Sequence, residues 1–409
     1  MNRYLKETSK KKVLFVLQSI GFGGSMTSLI NLLGFLKKNS NLSIDVLFMD
    51  RYGELLEQAK NLAHVLPENA ILQSVTPTRD KLLQLRRFDL LIKRCCLALC
   101  GKLKNTSTEK LAFKLASKSF SGMYDCVIAY QESIATQFVS EIQADKKIAW
   151  VHNDFDNVLC ICGGIDAMNK LYSSFDTIVC VSKAGQKNFR DGLTFDPHHI
   201  EYVYNTLDTY KIQANALISI DQVLHKDSIV LQKLREKKNI KFVSSGRMVR
   251  QKRFDRAILA AKELKSMGVD FYWFIIGDGE LFSDMSEMIV SEKLEDCVFL
   301  TGGLKNPFPV VNACDIFVLT SDFEAHPMVA NEALILGKPV ISTDFESASE
   351  VVVHEYNGLI SKRDPEYIAT TCRNLVENKS LFERLKRNAI EFVYQNDDII
   401  NKVIRIIGE

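Results

Sequence analysis

Two glutamates, Glu324 and Glu332, lie eight positions apart, and their carboxylates suit hydrogen bonds from sugar hydroxyls. Glu324 follows the apolar run 316–319, which is typical of a strand buried on both faces of a parallel sheet. Pro327 fits the first turn of a following helix, and Gly337 fits the cap that ends it. The stretch predicts a strand, a loop and a helix, with a loop placed to bind a phosphorylated ligand. The alternative is an ordinary βαβ unit with two solvated glutamates.

Two cations stand in a similar position earlier in the chain. Arg247 and Lys252 follow the apolar run 240–245 and Gly246, and they precede a helical pattern at 256–267. An arginine can contact two phosphate oxygens at once, and a lysine supplies a compact charge. The segment therefore predicts a diphosphate site, with a solvated basic loop as the alternative.

His152 follows the apolar run 147–151, so we expect it at the carboxyl end of a parallel strand, the edge where such sheets bind ligands. A structural or merely exposed histidine is the alternative. Asp154 and Asp156 form a D-x-D triplet, which could hold a divalent metal, and 160–162 is a C-x-C triplet. The C-x-C triplet lacks a second pair or a histidine at metal-ligand spacing, and nothing else in the chain supports a metal at the D-x-D triplet, so we expect no metal. Asp154 could instead help to position a second substrate.

A glycine-rich turn follows the first apolar run. Residues 19–25 include Gly21, Gly23 and Gly24, and a helical pattern continues from 26 to 36. Glycine lets a ligand approach the backbone closely. A dinucleotide fingerprint is the alternative, but the third glycine of G-x-G-x-x-G is missing, and Asp50 is the one acid placed to bind a ribose.

The remaining elements place these residues in a doubly wound α/β architecture. Helical patterns alternate with further apolar runs at 13–18, 43–49, 64–66, 124–130, 177–182, 271–276, 298–301 and 340–341. A length of 409 residues suits two domains, and we place their boundary near Asn205. The next thirty residues are poorly periodic and predict a connector, whereas 397–407 predict an amphipathic helix.

The overall charge and the cysteines narrow the class of protein. The net charge is +2, so we expect no nucleic-acid partner. Ten scattered cysteines suggest reduced thiols. The polar, basic segment 1–12 does not resemble a signal peptide, and we expect a cytoplasmic protein.

Residues 79–105 form a segment with eight basic and two acidic side chains among many leucines. Such a segment could lie on an anionic membrane surface. The alternative, which we favour for the apolar face as a whole, is a helix or helix pair packed on the sheet with its basic face in water. The sequence therefore predicts at most a peripheral membrane contact here.

The pattern Ser-x-x-Glu-x-x-Pro-x-x-x-x-Glu-Ala-x-x-x-Gly-x-Pro-Val-Ile at 321–341 closely resembles the Glu-x7-Glu signature of family 4 glycosyltransferases. The resemblance covers nearly the whole chain, but it is specific in 240–360 and weak in 1–150. It implies the GT-B fold, in which two Rossmann-like domains face a central cleft. It also implies a retaining, metal-independent sugar transfer that uses a nucleoside-diphosphate sugar, for which we expect UDP, and no other cofactor.

The resemblance also implies roles for single residues. Arg247 and Lys252 would neutralise the diphosphate, Glu324 would bind the donor sugar, and His152 would approach that sugar from the other domain. Glu332 would bind the ribose. The remaining donor-binding residues would be Gly23, Gly24, Gly246, Gly277, Ala325, His326, Pro327, Met328 and Val329, several of them through backbone N–H groups. Arg253 stands where the family usually has glycine, which could crowd its turn.

From the resemblance we expect an acceptor-binding domain at 1–205, a donor-binding domain at 206–393, and a terminal helix at 394–409 that crosses back to the first domain. The acceptor would be a glycan, lipid-linked, in bacterial capsule or exopolysaccharide synthesis at the inner face of the cell membrane. Two alternatives remain open. One is an epimerase of nucleotide sugars, and the other is a non-catalytic subunit that binds sugar nucleotides.

Overall fold

The structure is a computed structural model that describes residues 10–19, 23–38, 41–53, 55–195, 199–225 and 228–408. Most of the segment 1–12, and residues 20–22 of the glycine-rich turn, lie outside the described residues. The chain divides into two compact units, one ending at Thr206 and resuming at Asn396, the other spanning Leu207–Gln395.

Seven parallel strands form the sheet of the first unit within the described residues, in the order β3-β2-β1-β4-β5-β6-β7. The strands are β1 Lys11–Ser19, β2 Leu42–Asp50, β3 His64–Val65, β4 Cys126–Ala129, β5 Lys146–Val151, β6 Thr177–Cys180 and β7 Ile200–Tyr202. The helices are α1 Gly24–Leu36, α2 Leu56–Leu62, α3 Ala70–Val75, α4 Arg79–Gln84, α5 Phe88–Leu103, α6 Thr108–Ser117, α7 Ile134–Ser140, α8 Phe155–Cys162, α9 Ile165–Tyr172 and α10 Lys183–Gly192. The central strands are apolar on both faces because helices cover both sides of the sheet.

The second unit repeats this plan with six parallel strands in its described residues, in the order β10-β9-β8-β11-β12-β13. The strands are β8 Ile240–Ser245, β9 Phe271–Ile276, β10 Val298–Gly302, β11 Ile316–Leu319, β12 Val340–Thr343 and β13 Gly358–Ser361. The helices are α11 Thr209–Ala216, α12 Ile229–Arg235, α13 Phe254–Ser266, α14 Phe282–Ser291, α15 Phe308–Ala313, α16 Met328–Ile335, α17 Pro365–Glu377 and α18 Lys379–Ile390. Both strand orders are those of a Rossmann-like sheet, which confirms the predicted doubly wound α/β fold.

The prediction of a connector after the first domain is wrong about its local structure. Residues of this stretch form α11 and α12, and Asp208 and Ser228 cap these helices with their side chains. The α11 helix packs on α15 and α16 of its own unit. The segment is therefore part of the second unit rather than a structureless linker.

The helix α19, Asn396–Gly408, completes the first unit at the end of the chain. It buries Ile399, Val403, Ile406 and Ile407. Its Lys402 lies 3.1 Å from Glu201, and the Gly408 carbonyl accepts a hydrogen bond from Lys11 Nζ. The first unit is thus built from both ends of the described chain.

The basic segment forms the helices α4 and α5, but the favoured reading of its apolar face is wrong. The α5 helix contacts α3, α4 and α6 and buries Leu90 and Leu97. A second apolar stripe on the opposite side of α5 is exposed, and it consists of Phe88, Ile92, Leu99 and Leu103. Both sides of this helix are therefore apolar. Among the described residues, no helix is both long enough and apolar enough to span a bilayer.

Candidate functional site

Lys252 and Glu324 meet at the point where the strand order of the second unit reverses, and Arg247 follows the same strand as Lys252. The strands β8 and β11 pair directly, with Phe242 opposite Ile316, so the loops that follow them emerge side by side. This reversal point is where open α/β sheets bind ligands. Hydrogen bonds join the two loops: Asp322 N donates to Gln251 O over 2.9 Å, and Thr320 Oγ1 donates to Lys252 O over 3.0 Å.

Lys252 and Glu324 form an ion pair across these two loops, with 2.6 Å between Nζ and Oε1. Their side chains are 16% and 8% exposed. Ser321 Oγ donates a second hydrogen bond to Glu324 Oε1 over 2.6 Å. The Glu324 carboxylate is therefore held in one place, with a cation beside it.

Arg247 is exposed at the same edge of the sheet, and within the described residues no ion pair of its guanidinium is found. Its neighbour Gly246 touches Gly277, the first residue after β9. A Cβ on Gly277 would lie 1.9 Å from the Gly246 carbonyl oxygen, and both glycines have a positive φ, 157° and 154°. No other residue type fits at Gly277, because the two loops are in backbone contact.

Glu332 lies in α16, which begins at Met328 immediately after Pro327. Pro327 therefore precedes the first turn of α16 instead of belonging to it. Burial raises the pKa of Glu332 to about 7, although nearby Lys252 lowers it in part. The helix ends as predicted, with Gly337 at φ 71° just beyond the last turn.

The loop before α16 offers fewer backbone donors than the sequence predicts. Met328 N–H donates to His326 O over 2.9 Å, so this group is already used within the loop. The imidazole of His326 is buried beside Asn331, and burial lowers its pKa to about 4. His326 is therefore neutral at physiological pH. Ala325 and Val329 are partly exposed in the same loop.

Arg253 adopts the left-handed backbone conformation that its position demands, with φ 52° and ψ 48°. Its guanidinium pairs with Asp255 and Asp322, and Arg256 binds the other side of Asp322 over 2.7 Å. The hydrogen bonds that Arg253 donates to Asp255 and Asp322 hold its pKa above the usual range. The side chain thus points into an ion-pair cluster and does not crowd the turn.

The other predicted residues belong to the first unit. His152 follows β5, and its ring packs on Tyr130 with 4.8 Å between ring centres. Asp154 of the D-x-D triplet caps α8, since its carboxylate accepts the Asn157 N–H over 2.9 Å. Gly23 and Gly24 begin α1, and a Cβ on Gly24 would meet no atom within 4 Å.

Two residues of the first unit were missed by the sequence analysis. Tyr130 and Glu132 follow β4, the strand next to β5, and both side chains are buried against the start of the His152 loop. The available signal was a polar side chain directly after a buried strand, the same signal that identified His152. Among the described residues, no group of three or more His, Cys, Asp or Glu could hold a metal ion.

Parts of the chain are similar to known glycosyltransferases. Residues 226–392 match the family described as glycosyl transferases group 1. The chain is 28% identical over 197 residues to the N-acetylgalactosamine-N,N'-diacetylbacillosaminyl-diphospho-undecaprenol 4-alpha-N-acetylgalactosaminyltransferase of Campylobacter jejuni, covering 48% of this chain and 49% of the relative. It is 25% identical over 232 residues to an uncharacterized glycosyltransferase of Methanocaldococcus jannaschii, covering 55% of this chain and 56% of the relative. The chain spans about half the length of these curated relatives.

Solved structures extend the likeness to both units. HepE of Anabaena, crystallised with UDP and glucose, has a TM-score of 0.72 at 16% identity, covering 97% of this chain and 99% of HepE. WaaG, a glycosyltransferase involved in lipopolysaccharide biosynthesis, has a TM-score of 0.64 at 13% identity, covering 97% and 99%. The chain thus has the GT-B fold, and its second unit carries a segment that matches glycosyl transferases group 1.

Proposed function

We propose that this protein transfers a sugar from a nucleoside-diphosphate sugar to a glycan acceptor. The observation that carries the proposal is the ion pair of Lys252 with Glu324 where the strand order of the second unit reverses, with Arg247 in the segment after the same strand, β8. Cations there suit a diphosphate, and a fixed carboxylate suits sugar hydroxyls. The match of residues 226–392 and the likeness to a UDP-bound structure support UDP as the nucleotide.

In this proposal the second unit binds the donor, and the cations stabilise the leaving group. Negative charge grows on the diphosphate as the glycosidic bond breaks, so Arg247 and Lys252 act most strongly in the transition state. Lys252 would contact the diphosphate while Glu324 accepts hydrogen bonds from the donor sugar. Glu332 would accept hydrogen bonds from the ribose, and His152 would contact the donor sugar. We further propose that the reaction retains the anomeric configuration and uses no metal.

The experiment that tests the proposal is UDP binding measured by calorimetry, followed by transfer from a panel of UDP-sugars. Charge-assisted hydrogen bonds contribute roughly 1.5–3 kcal/mol, so Glu332→Ala should weaken UDP binding about ten- to hundredfold. Arg247→Ala should lower kcat more than it weakens binding. If folded Glu332→Ala binds UDP with unchanged affinity, Glu332 does not bind the ribose. If the protein converts the donor into its epimer without any acceptor, its function is epimerisation of a nucleotide sugar and not sugar transfer.

We also propose that the acceptor is carried on a lipid, and that the exposed stripe of α5 rests on an anionic membrane surface. Phe88, Ile92, Leu99 and Leu103 are 59%, 66%, 64% and 88% exposed on one side of this helix. The Campylobacter relative is named for a diphospho-undecaprenol substrate, which supports a lipid carrier. Such a stripe suits the boundary between headgroups and acyl chains.

The charges around the stripe favour an anionic surface, although fewer of them are available than the sequence suggests. Lys81 pairs with Asp50, and Arg87 pairs with Glu68 and Asp89. Six basic residues have no ion pair among the described residues: Arg79, Arg86, Lys93, Arg94, Lys102 and Lys104. Because Asp50 ends β2, the Lys81 pair also fixes α4 to the carboxyl edge of the first sheet. A membrane under α5 would therefore lie near the carboxyl edge of the first sheet, in the unit expected to bind the acceptor.

Sedimentation with vesicles tests this contact. We expect binding to phosphatidylglycerol–phosphatidylcholine vesicles that weakens with added salt, and little binding to phosphatidylcholine alone. A protein that sediments with neither kind of vesicle, or that forms a dimer through this face instead, contradicts the membrane contact.

A further inference from the structure

Glu132 is a buried carboxylate that holds the start of the His152 loop. It is 8% exposed, and its Oε2 accepts the main-chain N–H of His152 over 2.7 Å. The Asn153 side chain and the N–H of Glu132 itself also donate to it. Burial raises the pKa of Glu132 despite these hydrogen bonds. Among the described residues no cation forms an ion pair with it, so the carboxylate depends on these donors.

Tyr130 packs on the imidazole of His152. Its ring is 1% exposed and lies 4.8 Å from the His152 ring, centre to centre. Its hydroxyl lies 2.9 Å from Ser28 Oγ, and Ser28 donates its one hydrogen to Asn205 Oδ1 over 2.7 Å. Tyr130 must therefore donate to Ser28. These hydrogen bonds thus connect Tyr130, whose ring packs on His152, to α1 and to the segment after β7.

We propose that Glu132 and Tyr130 are positioning residues that set the place and orientation of His152 for sugar transfer. The inference rests on the proposed role of His152. Glu132 fixes the main chain at His152, and Tyr130 limits the directions that the imidazole can take. Both residues follow β4, so this one segment aligns a side chain that the neighbouring strand β5 supplies.

The variants Glu132→Gln and Tyr130→Phe test the proposal with little change in volume. A carboxamide has one acceptor oxygen and adds two donors, so it cannot accept all three hydrogen bonds that Glu132 accepts. We expect Glu132→Gln to lower kcat about tenfold, with UDP affinity within about twofold of wild type. Tyr130→Phe keeps the ring against His152 and should have a smaller effect, whereas Tyr130→Leu removes the ring and should resemble Glu132→Gln.

Asp176, an exposed residue just before β6, provides a control because it contacts the same strand, β5. Its Oδ2 accepts the main-chain N–H of Lys147 over 2.7 Å, near the amino end of β5. Asp176→Asn therefore removes a similar carboxylate contact far along the strand from His152. It should leave kcat unchanged. An equal loss of kcat in Asp176→Asn and Glu132→Gln would mean a general loosening of β5 and would overturn the proposal.

A double-mutant cycle separates positioning from general stability. If Glu132 acts through His152, Glu132→Gln should lower kcat in wild type but not in a His152→Ala background. Equal losses in both backgrounds would contradict the proposal. A His152→Ala variant with wild-type turnover would instead contradict the proposed function of His152.

An NMR measurement tests positioning without any enzymatic reaction. The chain has seven histidines, and the imidazole signals of His152 are assigned from their loss in His152→Gln. We expect these signals to shift or broaden in Glu132→Gln and Tyr130→Leu, and to be unchanged in Asp176→Asn. Wild-type signals in both Glu132→Gln and Tyr130→Leu would overturn the proposal whatever the donor sugar is.

Discussion

Lys252 Nζ lies 2.6 Å from Glu324 Oε1, so the cation proposed for the diphosphate and the carboxylate proposed for the sugar neutralise each other. Both side chains are largely buried, at 16% and 8% exposure. A donor that binds both residues would replace this ion pair with its own charges and hydroxyls. The pair therefore holds two buried charges in place.

Removing the cation alone should destabilise the protein. Lys252→Met leaves Glu324 buried without its partner, at a cost of about 3 kcal/mol, which lowers Tm by roughly 5–10 °C. Adding Glu324→Gln should recover part of that loss, because the uncompensated charge is gone. Thermal melts of the two single variants and the double variant measure the coupling, and additive shifts in Tm would mean that the pair contributes no stability.

Glu332 should make nucleotide binding depend on pH. Its pKa of about 7 leaves it largely protonated at pH 6 and ionised at pH 8, and the carboxylate is the stronger acceptor for ribose hydroxyls. UDP affinity should therefore rise between pH 6 and 8 in wild type. The phosphates of UDP also titrate near pH 6, so Glu332→Gln is the control. An identical pH profile in this variant would contradict the role of Glu332.

The same residue should also affect stability. The pKa is raised from 4.5 in the unfolded chain to about 7 in the folded protein. Between these pH values the folded protein keeps a proton that the unfolded chain has lost, so the stabilisation from protonated Glu332 is complete below pH 4.5 and lost as pH approaches 7. Relative to wild type, Glu332→Gln should gain Tm as pH rises through this window. A constant difference in Tm between the two proteins would show that the pKa is not raised.

Arg253 separates backbone strain from side-chain pairing. A left-handed conformation costs a residue with a side chain about 1–2 kcal/mol, which glycine avoids. Arg253→Ala loses the ion pairs and keeps the strain, whereas Arg253→Gly loses the ion pairs and relieves it. We expect Arg253→Gly to melt roughly 3 °C above Arg253→Ala. Equal melting temperatures would show that the turn carries no strain.

The exposed stripe of α5 can be tested by polar substitution. Replacing Ile92, Leu99 and Leu103 with serine should lower binding to phosphatidylglycerol-containing vesicles at least about tenfold, since each buried side chain contributes roughly 1.5–3 kcal/mol. Leu217→Ser is the control, because Leu217 is 83% exposed but lies in the second unit. If the control loses as much binding as the triple variant, the stripe has no special role.

The sequence predicted the fold of both sheets, and it placed Lys252 and Glu324 at one edge of the second sheet. Each of these residues follows a buried strand, and such strands end at one edge of a parallel sheet. The basic, leucine-rich composition of 79–105 predicted helices, but it could not show which face of α5 is buried. Both faces are apolar, and only tertiary packing decides between them.

Other features left signals that were not used. Asp208 and Ser228 are capping residues that mark α11 and α12, but these helices have only eight and seven residues. The contact between Tyr130 and His152 depends on the pairing of β4 with β5, which spacing along one chain does not give. The roles of individual site residues, including His152 and Gly23, stay predictions.

The helix α19 has a consequence for the order of events during synthesis. The main segment of the first unit is made before the second unit, but α19, which packs on α1 and pairs with Glu201, is made after it. The second unit is continuous in the chain, so it can complete its core while the first still lacks Val403 and Ile407. The first unit can therefore complete its core only after the second unit has been synthesised.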